Sequence, residues 1–331
     1  MSIKVAVIGM GQMGTHHANN YKKIPQVELA ACCEYNDERR AQVEKEFGCR
    51  VYKDFHECLA DPEIEAVSIV LPDNIHREAV EVAVRHGKHI LLEKPLAKEL
   101  SDGKALYELT KNYDKVFTVG FLLRYDYRFA AIKEALEKKE LGDIIHIYAR
   151  RNSPIVGPRR YIGASDLSMH VMIHDIDYIN WFMDCRPVRV FAKGRSVLLK
   201  EHGMKDVIYA IVTYENGAVA CLEACWVLPE NSPTIIDDRC EIVTTNGVAY
   251  VEPCDKGIKF VTPEKILYPD SRHWNYVNGL PQGDLSEEIM AFINNVASGT
   301  KSIVTPEQAY LSLQVVDAIE RSMKEEREVE I

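Results

Sequence analysis

With 331 residues, 47% of them hydrophobic and 27% charged, the chain has the material for a full buried core and exceeds one ordinary domain, which predicts two. A formal charge of −10 at pH 7 removes nonspecific attraction to nucleic acid or to an anionic membrane surface, so the expected partners are small molecules and further copies of the chain. No apolar run approaches the roughly eighteen residues of a spanning helix, Met1-Ser2-Ile3-Lys4 leads straight into Val5 to Ile8 with no room for a secretory leader, and the nine cysteines lack any CxxC spacing, so reduced thiols and a cytoplasmic location are expected.

From Lys4 to about Gly120 short β-branched runs alternate with amphipathic stretches. Strands are predicted at Ile3 to Ile8, Val27 to Cys33, Ala66 to Val70, His89 to Leu92 and Val116 to Val119. Helices are predicted at Asp37 to Phe47, Ile75 to His86 and Ser101 to Tyr113, where apolar residues recur at helical spacing. Strict alternation of this kind gives right-handed βαβ units and a parallel sheet covered on both faces. After residue 120 the rhythm changes. A helix from Tyr127 to Glu140 ends at Gly142, a strand runs from Ile144 to Arg151, and a loop rich in Arg and Pro precedes a helix from Asp166 to Met183. Strands then follow without helices between them: Val188 to Val197, Val207 to Tyr214, Ala218 to Val227, Arg239 to Thr244 and Val248 to Val251, with Asn216-Gly217 and Asn246-Gly247 as hairpin turns. Helices around Leu285 to Ser298 and Pro306 to Glu326 complete the chain. The fold class is therefore α/β, with an N-terminal doubly wound parallel sheet over residues 1–120 and a C-terminal α/β domain over 121–331. The second domain is expected to hold a large, mostly antiparallel open sheet. Its strands carry apolar residues on both faces, which points to a homodimer or homotetramer.

Gly9-Met10-Gly11-Gln12-Met13-Gly14 follows the first strand and opens a helix, the context in which a GxGxxG run makes a Rossmann dinucleotide site. Gly9 allows the turn, Gly11 admits a pyrophosphate to the backbone, Gly14 lets the helix pack, and the helix N-terminus supports the anion, with Gln12 and Met13 in the turn. Glu34, twenty residues beyond Gly14, is placed to accept from the adenosine ribose and to repel a 2′-phosphate, favouring NAD, while Arg39 and Arg40 leave NADP open. Glu93-Lys94-Pro95 closes the strand that begins at His89, at the edge that faces ligand in a doubly wound sheet.

The fingerprint, Glu93-Lys94-Pro95, Val119-Gly120-Phe121 with Arg124-Tyr125, and His174-Asp175-Ile176-Asp177 together resemble the Gfo/Idh/MocA oxidoreductases, which include glucose-fructose oxidoreductase and inositol dehydrogenase. The resemblance runs from residue 1 to about 255. It implies hydride transfer between nicotinamide and a secondary hydroxyl of a cyclic polyol, sugar or sugar nucleotide, with Lys94 and His174 acting on that hydroxyl and Glu93 and Lys94 near the cofactor. The chemistry agrees: a histidine, titrating ordinarily near about 6.5, can take the hydroxyl proton at neutral pH, and a lysine ammonium can stabilise a developing alkoxide. Two further readings share this fold, an NAD-dependent glycoside hydrolase that returns the hydride and a noncatalytic nucleotide-binding regulator. Retention of both Lys94 and His174 argues against the regulator.

Many members of the family carry an aspartate four residues before the histidine, and this chain has His170 there. Asp166, His170 and His174 at i, i+4 and i+8 are expected on one helical face, where His170 replaces the aspartate as an orienting group, simply packs, or joins His174 as a zinc ligand; with no third ligand identifiable, no metal is expected. Arg150-Arg151 and Arg159-Arg160 form a concentration that either holds an anionic group of the substrate or serves as a solvated loop or subunit contact. Arg124, Tyr125, Arg151, Arg159, Arg160 and Asp175 are the candidate substrate contacts.

Overall fold

Val5 to Ile8 are fully buried, as only a central strand of a sheet covered on both faces can be. In the computed structural model, which describes residues 2–160, 162–163, 165–252 and 258–331, the chain packs as two units, Met1–Leu122 with His273–Tyr310, and Leu123–Arg272 with Leu311–Ile331. Cys254 and the side chain of Arg160 lie outside the described residues.

The first unit alternates β1 (Ile3–Ile8), α1 (Gln12–Lys23), β2 (Val27–Cys33), α2 (Asp37–Phe47), β3 (Arg50–Tyr52), α3 (Phe55–Ala60), β4 (Ala66–Ile69), α4 (His76–Arg85), β5 (His89–Glu93), α5 (Leu100–Thr110) and β6 (Phe117–Gly120). All pairings are parallel, in the order β3-β2-β1-β4-β5-β6, so the strand order reverses between β1 and β4. Local signals set the helix ends. Asn36 caps α2 by accepting from the Arg39 N–H (2.9 Å), Asp37 and Glu38 favour its N-terminus, and Gly48 ends it with φ +66°. The sequence reading omitted β3 and α3, whose three and six residues are too few to display a period.

The second unit holds α6 (Tyr127–Glu137), β7 (Ile144–Pro154), α7 (Ile173–Met183), β8 (Pro187–Arg195), β9 (Val207–Tyr214), β10 (Val219–Leu228), β11 (Asp237–Thr244), β12 (Val248–Val251) and the short pair β13 (Phe260–Val261) and β14 (Ile266–Leu267). The chain then rejoins the first unit with β15 (Tyr276–Val277), β16 (Leu280–Pro281) and α8 (Asp284–Ser298), and ends in α9 (Pro306–Glu325) and β17 (Val329–Glu330). Leu285, Ile289, Phe292 and Ile293 of α8 complete the core formed by Val5, Val7, Tyr21 and Leu91. The second sheet runs β12-β11-β7-β10-β9-β8-β17, antiparallel throughout except for the parallel β7–β10 pair. Both Asn-Gly dipeptides make the expected hairpins, between β9 and β10 and between β11 and β12. Ile147, Ala149, Ala192, Ala210, Leu222 and Ile242 are buried on one face of this sheet, whereas Phe191, Tyr209, Ile211 and Tyr250 are exposed. Among the described residues no helix is long and apolar enough to cross a membrane.

Arg124 and Asp177 form the deepest ion pair of the second unit. Arg124 Nε and Nη2 donate to the two carboxylate oxygens at 2.8 Å each, with both side chains fully buried, and the guanidinium lies 5.4 Å over the Trp181 ring. Burial pushes the Asp177 carboxyl up, against the opposing charge and hydrogen bonds of Arg124. Removing one partner strands a charge away from water. Asp177→Ala should therefore lose about 3–5 kcal/mol in urea unfolding, whereas Arg124→Met with Asp177→Leu should lose much less because no unpaired charge remains. A double variant at least as unstable as the single one would show that the pair itself is stabilising.

Candidate active-site residues

At the carboxyl edge of the first sheet the glycine turn is set by contact. A Cβ on Gly9, which has φ +95°, would stand 2.3 Å from the Val70 carbonyl oxygen, and one on Gly14 would stand 1.9 Å from the Gly9 carbonyl oxygen. A Cβ on Gly11 would meet nothing within 4 Å. Gly11 and Gln12 are exposed and Met13 is half-buried. Gly11 also caps α1 without a side chain, leaving the first N–H groups of that helix without a side-chain acceptor. The turn thus presents open backbone where a phosphate would sit and permits no side chain where it packs. Glu34, at the end of β2, accepts from the Met10 N–H through Oε2 (3.2 Å) and from the Asn36 N–H through Oε1 (2.9 Å). Arg39 is tied to the same turn through the Met10 carbonyl (3.1 Å) and Thr15 Oγ1 (2.8 Å), and Arg40 pairs with Asp37 (2.7 Å).

At the end of β5 the Lys94-Pro95 bond is cis. Lys94 is half-buried, but the Glu93 carboxylate, expected beside the cofactor, is turned into the fold. Its Oε1 lies 3.0 Å from His17 Nε2, and its Oε2 accepts the Lys94 N–H at 3.2 Å. Burial would raise this carboxyl, but the hydrogen bond from His17 and the charge of Lys94 outweigh it and hold the group below its ordinary value. His76 of α4 secures the segment, with one ring nitrogen 2.9 Å from the Pro95 carbonyl and the other 2.9 Å from that of Leu71. The sequence reading passed over His17 and His76. His17, three residues past Gly14, falls on the packed face of α1, which a periodicity count would have revealed.

In the second unit the expected Asp166–Met183 helix is interrupted. Ser168–Met172 is a π-helical turn, in which the Ile173 N–H bonds to the Ser168 carbonyl five residues back, and regular α7 begins only at Ile173. The wider turn interrupts the regular α-helical register expected from Asp166 to His174. Such turns are rare and concentrate at functional sites. His170 and His174 are half-buried, and Asp166 is exposed. Ser168 of this turn donates to Glu320 of α9 (2.5 Å), whose carboxyl burial pushes up. Among the described residues no group of three His, Cys, Asp or Glu side chains is arranged to hold a metal ion.

Arg150, Arg151 and Arg159, expected to form one concentration with Arg160, engage separate carboxylates. Neighbours in a strand point to opposite faces, and β7 extends through both Arg150 and Arg151. Arg151 turns inward to Asp175, donating from Nε (3.0 Å) and Nη2 (2.8 Å) to one buried carboxylate oxygen. Arg150 pairs with Asp237 (2.6 Å) and Arg159 with Glu230 at the surface. Arg124 is held by Asp177, and Tyr125 is half-buried. Arg124, Arg151 and Asp175 thus serve the interior of the second unit, where burial favours a charge that has found its partner.

Two family models match in succession. "Oxidoreductase family, NAD-binding Rossmann fold" covers residues 3–121, and "GFO/IDH/MocA C-terminal domain" covers residues 129–250. The chain is 29% identical to myo-inositol 2-dehydrogenase of Thermotoga maritima, over 99% of this chain and 98% of that enzyme. It is 32% identical to UDP-N-acetylglucosamine 3-dehydrogenase of Acidithiobacillus ferrooxidans, over 69% of this chain and 68% of that enzyme. Scyllo-inositol dehydrogenase of Lactobacillus casei, solved with bound NAD(H) and scyllo-inositol, shares the fold with a TM-score of 0.87 and 23% identity, over 100% of this chain and 99% of that one. The sequence reading of the family and of its two sheets is therefore correct, and the chain belongs to the GFO/IDH/MocA oxidoreductases, with their NAD-binding Rossmann fold and their C-terminal domain.

Proposed function

We propose that this oxidoreductase is a dehydrogenase acting on a secondary hydroxyl of an uncharged cyclic polyol, an inositol before a sugar nucleotide. The observation that carries the reading is the similarity to myo-inositol 2-dehydrogenase over essentially the whole of both chains. The engagement of Arg124, Arg150, Arg151 and Arg159 with carboxylates of the same unit favours the uncharged substrate, since a diphosphate would compete for groups already neutralised.

NAD, when bound, supplies the hydride acceptor. Gly11 offers the open backbone for its pyrophosphate. A carboxylate has about four lone-pair sites; Met10 and Asn36 take two of those on Glu34, so the remainder can accept from a ribose diol and would repel a 2′-phosphate. His174 acts as the base for the hydroxyl proton, Lys94 donates to the same oxygen, and His170 orients the substrate. The exposed apolar residues Phe191, Tyr209, Ile211 and Tyr250 suit coverage by a second copy, as a homodimer or homotetramer. The eight cysteines among the described residues are unbridged, which suits a reducing cytoplasm.

Three experiments test this reading. Gly11→Ala should fold with an unchanged melting temperature yet bind NAD at least about tenfold more weakly, because the methyl group occupies the approach and not the packing; Gly14→Ala should lose stability as well. Equal melting temperatures for the two variants would contradict the assigned contacts. Glu34→Ser should shift the kcat/KM ratio toward NADP, and a wild-type enzyme that already prefers NADP would refute the role of Glu34. In a 340 nm assay, myo- or scyllo-inositol should give net NADH, and His174→Ala and Lys94→Met should each reduce kcat by about 10² to 10⁴ with NAD binding retained. In the oxidative direction kcat should rise with pH as the base loses its proton. Near wild-type turnover in both variants would remove these residues from the reaction, and turnover of a glycoside without net NADH would favour the hydrolase.

A further inference from the structure

The hydrogen bonds around Glu93 form a buried chain through His17 and Ser68 to Tyr21. An ionised carboxylate only accepts, so His17 Nε2 carries a proton and donates to Oε1 at 3.0 Å. The other ring nitrogen, Nδ1, shares a hydrogen bond with Ser68 Oγ at 3.0 Å. The Tyr21 hydroxyl shares a hydrogen bond with Ser68 Oγ at 2.7 Å. All four side chains are buried, and the other carboxylate oxygen accepts the Lys94 backbone N–H. No catalytic step so far assigned uses His17, Ser68 or Tyr21.

We propose that His17 is a positioning residue for Lys94: its Nε2–H fixes the buried Glu93 carboxylate as an anion, and that fixed charge keeps the neighbouring Lys94 ammonium protonated and oriented. The proposal rests on the reading of Lys94 as the donor to the reacting oxygen. A lysine can stabilise an alkoxide only while it keeps its proton, and the buried negative charge of the adjacent Glu93, which feels the charge of Lys94, favours that form. The arrangement joins the nucleotide-binding helix α1, which carries His17, to the end of β5, which carries Lys94. Other titratable groups bear on the site. His76 faces it from α4 with its ring nitrogens on the Pro95 and Leu71 carbonyls, and Glu288 of α8 acts on Tyr21. The neighbour on β6 is Gly120, where a Cβ would stand 3.4 Å from Glu93 Oε1.

Without the His17 donor the buried carboxyl takes up a proton, the charge beside Lys94 disappears, and the ammonium releases its proton at lower pH. The test uses the NAD-loaded enzyme and two readouts: the alkaline limb of the kcat/KM profile, and the NMR titration of ¹³C-dimethylated Lys94, identified by its loss in Lys94→Arg. His17→Phe and Glu93→Gln should move both to lower pH by about one unit or more, by similar amounts and without adding in the double variant. His17→Gln, whose amide N–H can reach Glu93, should restore most of the shift. If His17→Phe does not fold, His17→Asn, too short to reach Glu93, replaces it with the same expected displacement. A Lys94 titration unchanged in folded His17 and Glu93 variants overturns the proposal even where kcat falls, since a structural role lowers turnover without moving the limb. Retained turnover in Lys94→Met instead overturns the function assigned to Lys94, and the NMR titration distinguishes that outcome.

Discussion

The end of β1, the first turn of α1 and the end of β4 approach so closely that the peptide backbone alone fills the space. Gly9 faces the Val70 carbonyl and Gly14 faces the carbonyl of Gly9, each nearer than any Cβ could stand. From this contact follow the direction of α1, the place of its free N–H groups and the position of Glu34, which bonds to the Met10 N–H within the turn. It also brings the buried face of α1, with His17 and Tyr21, against Ser68 of β4 and Glu93 of β5. A steric requirement at two glycines thereby determines which polar side chains meet one strand further on.

The two units treat buried carboxylates differently. In the second unit burial outweighs the opposing arginines, and the carboxyls of Asp175 and Asp177 are pushed up although each faces a guanidinium. In the first unit Glu93 is held down, by the imidazole of His17 and the charge of Lys94. The arginine pairs act as cross-links between β7 or the chain following β6 and α7. The Glu93 group leads outward to a half-buried lysine. Charge that supports packing and charge that supports chemistry are thus distinguished by what lies at the open end of the network.

Much of this architecture was legible from periodicity and turn chemistry. Asp37–Phe47, Val207–Tyr214 and Val248–Val251 have the bounds the pattern predicts, and both Asn-Gly turns make hairpins. The glycine fingerprint was legible because each glycine answers a distinct steric demand. The π-helical turn before α7 was not, because hydrogen-bond register leaves no mark on the spacing of apolar residues. The arginines left two readings open in sequence, an anion site or a solvated loop or subunit contact, and alternation along β7 sends Arg150 and Arg151 to opposite faces. The inward turn of Glu93 depends on His17, seventy-six residues away, and a pairing at that separation has no local signature.

The membership of α8 in the first unit has a consequence for synthesis. Leu285, Ile289, Phe292 and Ile293 cover the core built on β1, α1 and β5, yet the whole of Leu123–Arg272 is translated before them. At about 5–20 residues per second the ribosome leaves that apolar surface uncovered for on the order of ten seconds, while the second unit's sheet is still emerging. β17, which extends that sheet beside β8, is made after α8 and α9. Neither unit is a contiguous piece of chain, so neither can finish folding before nearly all of the protein has left the exit tunnel. Fragments cut at the end of β6 inherit the same exposed face.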